Sequence, residues 1–125
     1  MPATSVPSIL VVDDSPSLRR MIAACLRAGG YAVTEAADGD QAQALAAQAS
    51  FDMLLTDQVM PGMDGLTLIR HLRATERYAG IPILMLTTEA DDRIREQARE
   101  AGASGFLPKP FDPDQLMAAV AELGN

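Results

Sequence analysis

Five residues with side chains able to act on a charged group stand where short apolar runs end. Asp13 and Asp14 follow ILVV, Asp57 follows MLLT, Thr87 follows IPILML, and Lys109 lies just beyond GFL. Each is ordinary alone. A carboxylate pair ahead of a helix is favoured by the helix dipole, and Asp before a Pro-Gly loop is common turn chemistry. Convergence changes this, because the ends of adjacent strands lie about 5 Å apart. Three carboxylates crowded there would repel and raise one another's pKa values, and a divalent cation removes the conflict. Mg²⁺ fits better than Ca²⁺ or Zn²⁺: few protein oxygens are offered, room is left for waters and a phosphate oxygen, and no His or Cys is near. A carboxylate beside Mg²⁺ and a lysine is also a nucleophile toward phosphorus, giving an acyl phosphate. Such a transfer needs mostly positioning and neutralisation of the phosphoryl oxygens. Mg²⁺ would supply one positive group, Lys109 a second, and the Thr87 hydroxyl a hydrogen bond. Lys109 is the single lysine, against nine arginines. A compact charge on a flexible stem suits this place, and a plain salt bridge that neutralises the acids coexists with that role.

The elements that must bring these groups together alternate. Apolar, β-branched-rich runs predict strands over 9–12, 31–35, 53–56, 81–86 and 105–107. Helical periodicity lies between them. Leu18, Met21, Ile22, Cys25 and Leu26 form the first stripe, with Ser15 as its cap, Pro16 in its first turn and Gly29-Gly30 at its end. Later helices are predicted over 40–48, 65–73, 91–101 and 113–123. Strict alternation implies an α/β fold with a parallel sheet and helices on both faces. In such a sheet ligands bind outside the carboxyl ends of the strands, where strand order reverses. All five chemical groups fall on that rim.

Composition narrows the function. One domain suffices for 125 residues, of which 48% are apolar and 22% charged. A net charge of −7 argues against nucleic acid and anionic membranes as partners. Residues 1–8 lack the basic and apolar regions of a signal peptide and read as a flexible tail ahead of one domain over 9–125. With the lone Cys25, which reads as core, this predicts a cytoplasmic protein. His71 reads as a solvated helix residue, the charges over 91–100 as an exposed face with i, i+4 pairs, and the methionines as core filler. Met60 and Met63, in the loop after Asp57, are candidates for partner contact.

Four segments then carry a resemblance: VVDDS (11–15), LLTDQVMPGMDG (54–65), MLTTE (85–89) and GASGFLPKPF (102–111). In this order and spacing the chain resembles the receiver domains of bacterial response regulators from residue 9 to 123, and among them the single-domain chemotaxis regulators. The resemblance implies a flavodoxin-like doubly wound five-stranded sheet of order 2-1-3-4-5 flanked by five helices. It implies Asp57 as phosphoacceptor. Asp14, Asp57 and the backbone carbonyl of Val59 would be Mg²⁺ ligands, with Asp13 acting through water. Thr87 and Lys109 would meet the phosphoryl group, the Lys109–Pro110 bond would be cis, and Phe106 would be the aromatic switch. A sensor histidine kinase would be the donor, a phosphatase a further partner, and the fourth helix, fifth strand and fifth helix (91–101 and 103–120) the output face. Phe106 lacks the hydroxyl of the tyrosine frequent there, and Gln58 and Val59 depart from the best-known chemotaxis regulator, which should alter phosphoryl lifetime.

Rival readings are a Mg²⁺-dependent phosphohydrolase with Asp57 as nucleophile, for which no added acid/base or cap is found, and a degenerate receiver that only binds. A phosphate sink or relay intermediate is a further alternative. A flavodoxin-like cofactor domain would need a Gly-rich phosphate loop after the first strand, and none is present. No output domain is expected after Asn125, so the chain is expected to act by touching another protein.

Overall fold

Two runs of the chain, MLLTD and ILMLT, are buried at every residue, as strands covered on both faces must be. The computed structural model describes residues 6–88 and 91–124. Its strands are β1 (Ser8–Val12), β2 (Ala32–Ala36), β3 (Met53–Asp57), β4 (Ile83–Thr87) and β5 (Gly105–Pro108); its helices are α1 (Pro16–Ala28), α2 (Gly39–Gln48), α3 (Gly65–Arg73), α4 (Asp92–Ala101) and α5 (Pro113–Gly124). The sheet runs β2-β1-β3-β4-β5, every pair parallel. This is the order the resemblance implied. Of the predicted tail, residues 1–5 lie outside the described residues, as does Glu89.

Side chains alternate across the sheet with period two. Leu10, Val12, Leu54, Ile83 and Met85 pack under α2, α3 and α4, against Ala42, Ala46, Leu68, Ile69 and Ala98. Ile9, Val11, Leu55, Leu84 and Leu86 pack under α1 and α5, against Ile22, Leu26, Leu116 and Val120. Each such buried aliphatic side chain stabilises the fold by about 1.5–3 kcal/mol relative to exposure. Helix starts follow local chemistry. Ser15, Asp38, Asp64 and Asp91 accept hydrogen bonds from the third residue beyond each. Asp112 and Gln115 cap α5 reciprocally, each backbone N–H donating to the other's side chain, at 2.9 and 2.8 Å.

Some boundaries shift. β4 begins at Ile83, past Pro82, and both β3 and β4 run one residue further, so that Asp57 and Thr87 end strands instead of following them. A short 3-10 turn, Glu76–Tyr78, was not anticipated. Its Tyr78 hydroxyl lies 2.6 Å from the carbonyls of both Ala46 and Ala49 at the end of α2. Met60 is a correction: it is 6% exposed and packed into the core, so it offers no surface to a partner. Met63 is half-buried. His71 is on an exposed face as predicted. In α4 the ion pair among the described residues joins Glu96 and Arg99 at i, i+3 spacing, not i, i+4. No helix of the described residues is long and apolar enough to cross a membrane.

Candidate functional site

Strand order reverses between β1 and β3, and the acids lie at the carboxyl ends of these two strands. Carboxylate oxygens of Asp13, Asp14 and Asp57 fall within 4.8 Å of one another. Asp13 is fully buried, Asp57 is 6% exposed, and Asp14 is exposed. The chain crosses back on the far side of β4, and β5 delivers Lys109 to the same rim. The Lys109 N–H donates to the Thr87 carbonyl at 2.8 Å, which fixes where the side chain sets out. Its Nζ then lies 3.1 Å from Asp57 Oδ1 and 3.3 Å from Asp13 Oδ2. The Lys109–Pro110 peptide is cis.

Asp57 is held firmly. The Gln58 N–H donates to its Oδ1 at 2.9 Å, so that both this bond and the lysine use the same oxygen. Burial pushes the Asp57 carboxyl above the usual carboxylate range. Asp13 adds to the push, and Lys109 and the Gln58 N–H oppose it. Gln58 also ties the following loop back: its carbonyl accepts from Gly65 N and its Oε1 from Leu66 N, each at 2.9 Å. Gly65 has no freedom to be anything larger, since a Cβ there would stand 2.3 Å from the Asp57 carbonyl. Val59 is exposed beside the acids.

The donor set fits a hard divalent cation. Three carboxylates against one ammonium leave two negative charges in a partly buried space, and all the donors offered are oxygen. Mg²⁺ would be held by Asp14 and Asp57, with Asp13 behind them.

Thr87 is fully buried at the end of β4. Phe106 lies opposite Met85, and Pro108 opposite Thr87, across the β4–β5 ladder. Thr87 and Phe106 therefore project from the same face of neighbouring strands, two register positions apart. The Phe106 ring is half-buried against the α4 side of the core, with the Arg95 guanidinium 5.3 Å from its centroid. A cavity of about 310 Å³ lies elsewhere, at the amino-terminal edge of the sheet by Pro7, Ile9 and Tyr31. It holds none of these groups. A second cavity, about 270 Å³, adjoins the rim at Lys109 and is lined by Leu18, Thr88, Pro110 and Phe111.

Sequence reasoning passed over Arg19. Its Nη1 donates to the Asp13 carbonyl at 2.8 Å and its Nε to Glu35 Oε1 at 3.2 Å. An arginine one turn after a cap among nine arginines gave no signal.

The chain matches the family model described as "Response regulator receiver domain" over residues 9–121. It is 43% identical to the chemotaxis protein CheY of Pseudomonas aeruginosa, over 92% of this chain and 94% of that one. It is 39% identical to the DNA-binding dual master transcriptional regulator RpaA of Synechocystis, over 94% of this chain but 49% of that one. Among solved structures, the Vibrio cholerae chemotaxis protein CheY4 superposes with a TM-score of 0.93 at 39% identity, covering 95% of this chain and 99% of that one. The chain spans about half the length of the curated transcriptional regulators it matches.

Proposed function

The chain belongs to the response regulator receiver domain family of two-component systems, and from that premise we propose that Asp57 accepts a phosphoryl group and that this charge switches binding to another protein. The observation that carries the reading is Lys109 Nζ lying between Asp57 and Asp13, at 3.1 and 3.3 Å, with Asp14 completing the cluster. Among the described residues both Asp57 side-chain contacts use Oδ1, which leaves Oδ2 as the oxygen presented to phosphorus. Oδ2 attacks, an O–P bond forms, and the P–N bond of a donor phosphohistidine protonated on its other ring nitrogen breaks, the electron pair staying on nitrogen and leaving neutral imidazole. Bound Mg²⁺ supplies positive charge to the phosphoryl oxygens. Lys109 supplies the second positive charge and the Gln58 N–H keeps the carboxylate aimed. Val59, exposed and without a side-chain donor or acceptor, orients no water for hydrolysis of the acyl phosphate.

The donor is a sensor histidine kinase and the place of action the cytoplasm. A small phosphodonor serves in the kinase's stead, and loss of the group is self-catalysed or assisted by a phosphatase. Output is read on α4, β5 and α5. Phosphorylation draws the Thr87 hydroxyl inward, and the Phe106 ring follows into the space. Similarity to two chemotaxis regulators along nearly the full length of both supports that pathway first.

Incubation with acetyl phosphate and Mg²⁺, read by intact mass, tests the acceptor. The wild type should gain one phosphoryl group and Asp57→Ala none; a labelled Asp57→Ala refutes the assignment. NMR shifts induced by beryllofluoride should extend from Asp57 to Phe106 and α4. Shifts confined to the acid cluster would favour a phosphate sink or relay over a switch.

A further inference from the structure

We propose that Arg19 is a positioning residue for the metal-binding acids, holding the peptide between Asp13 and Asp14 so that the exposed Asp14 carboxylate meets the cation. The inference rests on the reading that Asp13, Asp14 and Asp57 hold Mg²⁺.

Asp13 is anchored on every side. Its N–H donates to the Ala36 carbonyl at 3.2 Å, its Oδ1 accepts from Ser15 N at 2.9 Å, and its Oδ2 faces Lys109. Asp14 is the opposite case. It is exposed, and among the described residues its carboxylate makes no hydrogen bond. Where Asp14 points is therefore set by its backbone. The Asp13 carbonyl belongs to the planar unit that ends in the Asp14 nitrogen and Cα, so fixing that oxygen fixes the direction in which Asp14 leaves. Arg19 Nη1 is the group that fixes it, at 2.8 Å.

The guanidinium is itself held. Its side chain is 15% exposed, and Glu35 Oε1 lies 3.2 Å from its Nε. Glu35 also cancels the positive charge, which would otherwise oppose a cation nearby. Arg27 reaches the same Glu35, at 3.8 Å, and donates to the Val33 carbonyl, but makes no bond to the acid loop. The two arginines thus share a tie between α1 and β2, and only one of them touches the Asp13–Asp14 peptide.

Charge and positioning make opposite predictions for Arg19→Met. Removing a positive charge near an acidic site should tighten Mg²⁺ binding; removing an orienting contact should loosen it. Partners that orient metal ligands are typically worth about tenfold or more in affinity. We expect calorimetry on the 125-residue chain to show about a tenfold rise in the Mg²⁺ Kd for Arg19→Met, a smaller rise for Arg19→Lys, and no change for Arg27→Met. A loss from Arg27→Met equal to that from Arg19→Met would reduce the effect to loosening of α1 and overturn the proposal. So would an unchanged or lowered Kd in Arg19→Met. Should Arg19→Met fail to fold, Arg19→Lys and Arg19→Gln carry the same comparison, judged by the same rise or its absence. Asp14→Ala separates the two layers. If it binds Mg²⁺ like the wild type, the metal reading fails; if it loses binding while the Arg19 variants keep theirs, Arg19 alone is misassigned.

Discussion

Replacing Lys109 with methionine keeps the stem and deletes the charge that sits between two buried carboxylates. Its Nζ is 3.1 Å from Asp57 and 3.3 Å from Asp13, and the three side chains are 16%, 9% and 0% exposed. At an effective dielectric of about 20, each contact carries about 5 kcal/mol of gross attraction, which the cost of burying an ammonium offsets in part. Deleting one partner of a buried ion pair typically costs about 3–5 kcal/mol, since the remaining charges are left uncompensated. Proton uptake limits that loss. The Asp57 carboxyl already titrates above its ordinary value through burial and Asp13, and without Lys109 it moves further up. Each unit by which its pKa approaches the ambient pH saves about 1.4 kcal/mol. A raised carboxyl pKa means that the folded state holds its proton more tightly than the unfolded chain. The penalty is therefore absent below the unfolded pKa and grows as pH rises toward the folded one. In metal-free buffer near pH 7 we expect Lys109→Met to lose about 3 kcal/mol, a fall of about 10 °C in Tm for a chain of this size. The deficit should shrink as pH is lowered from neutral toward the ordinary carboxylate range. Urea unfolding followed by circular dichroism across that range, in chelator, measures it, and Lys109→Met combined with Asp57→Asn should recover most of the loss. A deficit below about 1 kcal/mol near pH 7, or one independent of pH, would refute the idea that Lys109 compensates buried charge.

Three further outcomes follow from the same geometry. Asp13→Asn should raise the metal-free Tm by relieving Asp57, while Mg²⁺ at about ten times its Kd should stabilise the wild type by about 1.4 kcal/mol; a lowered Tm in Asp13→Asn would count against crowding. Val59→Asn should speed loss of the phosphoryl label a few-fold in an intact-mass time course by giving water a hydrogen-bonding group, and slower loss would reverse the argument. Gly65→Ala should cost at least about 2 kcal/mol in urea unfolding, because its Cβ would stand 2.3 Å from the Asp57 carbonyl; tolerance of alanine would mean that the loop after β3 yields freely.

Much of this protein was readable before any coordinates. Apolar runs without polar alternation mark strands buried on both faces, and strict alternation with helices makes the sheet parallel. A parallel sheet puts every strand's carboxyl end on one rim, so Asp13, Asp14, Asp57, Thr87 and Lys109 were bound to assemble there whatever the details. The strand order was legible only through resemblance, because local patterns carry no information on which strands are neighbours. Tertiary structure alone decided how the assembled groups differ. It buried Asp13 against Lys109, 96 residues away, and left its neighbour Asp14 in solvent, a distinction that two identical adjacent residues cannot express. It turned Met60 into the core although its loop reads as surface. It also set Arg19 on the Asp13 carbonyl and Glu35 behind it. Those contacts depend on where α1 lies against β2, and the direction of a long side chain follows from the packing around it, not from its place in the chain.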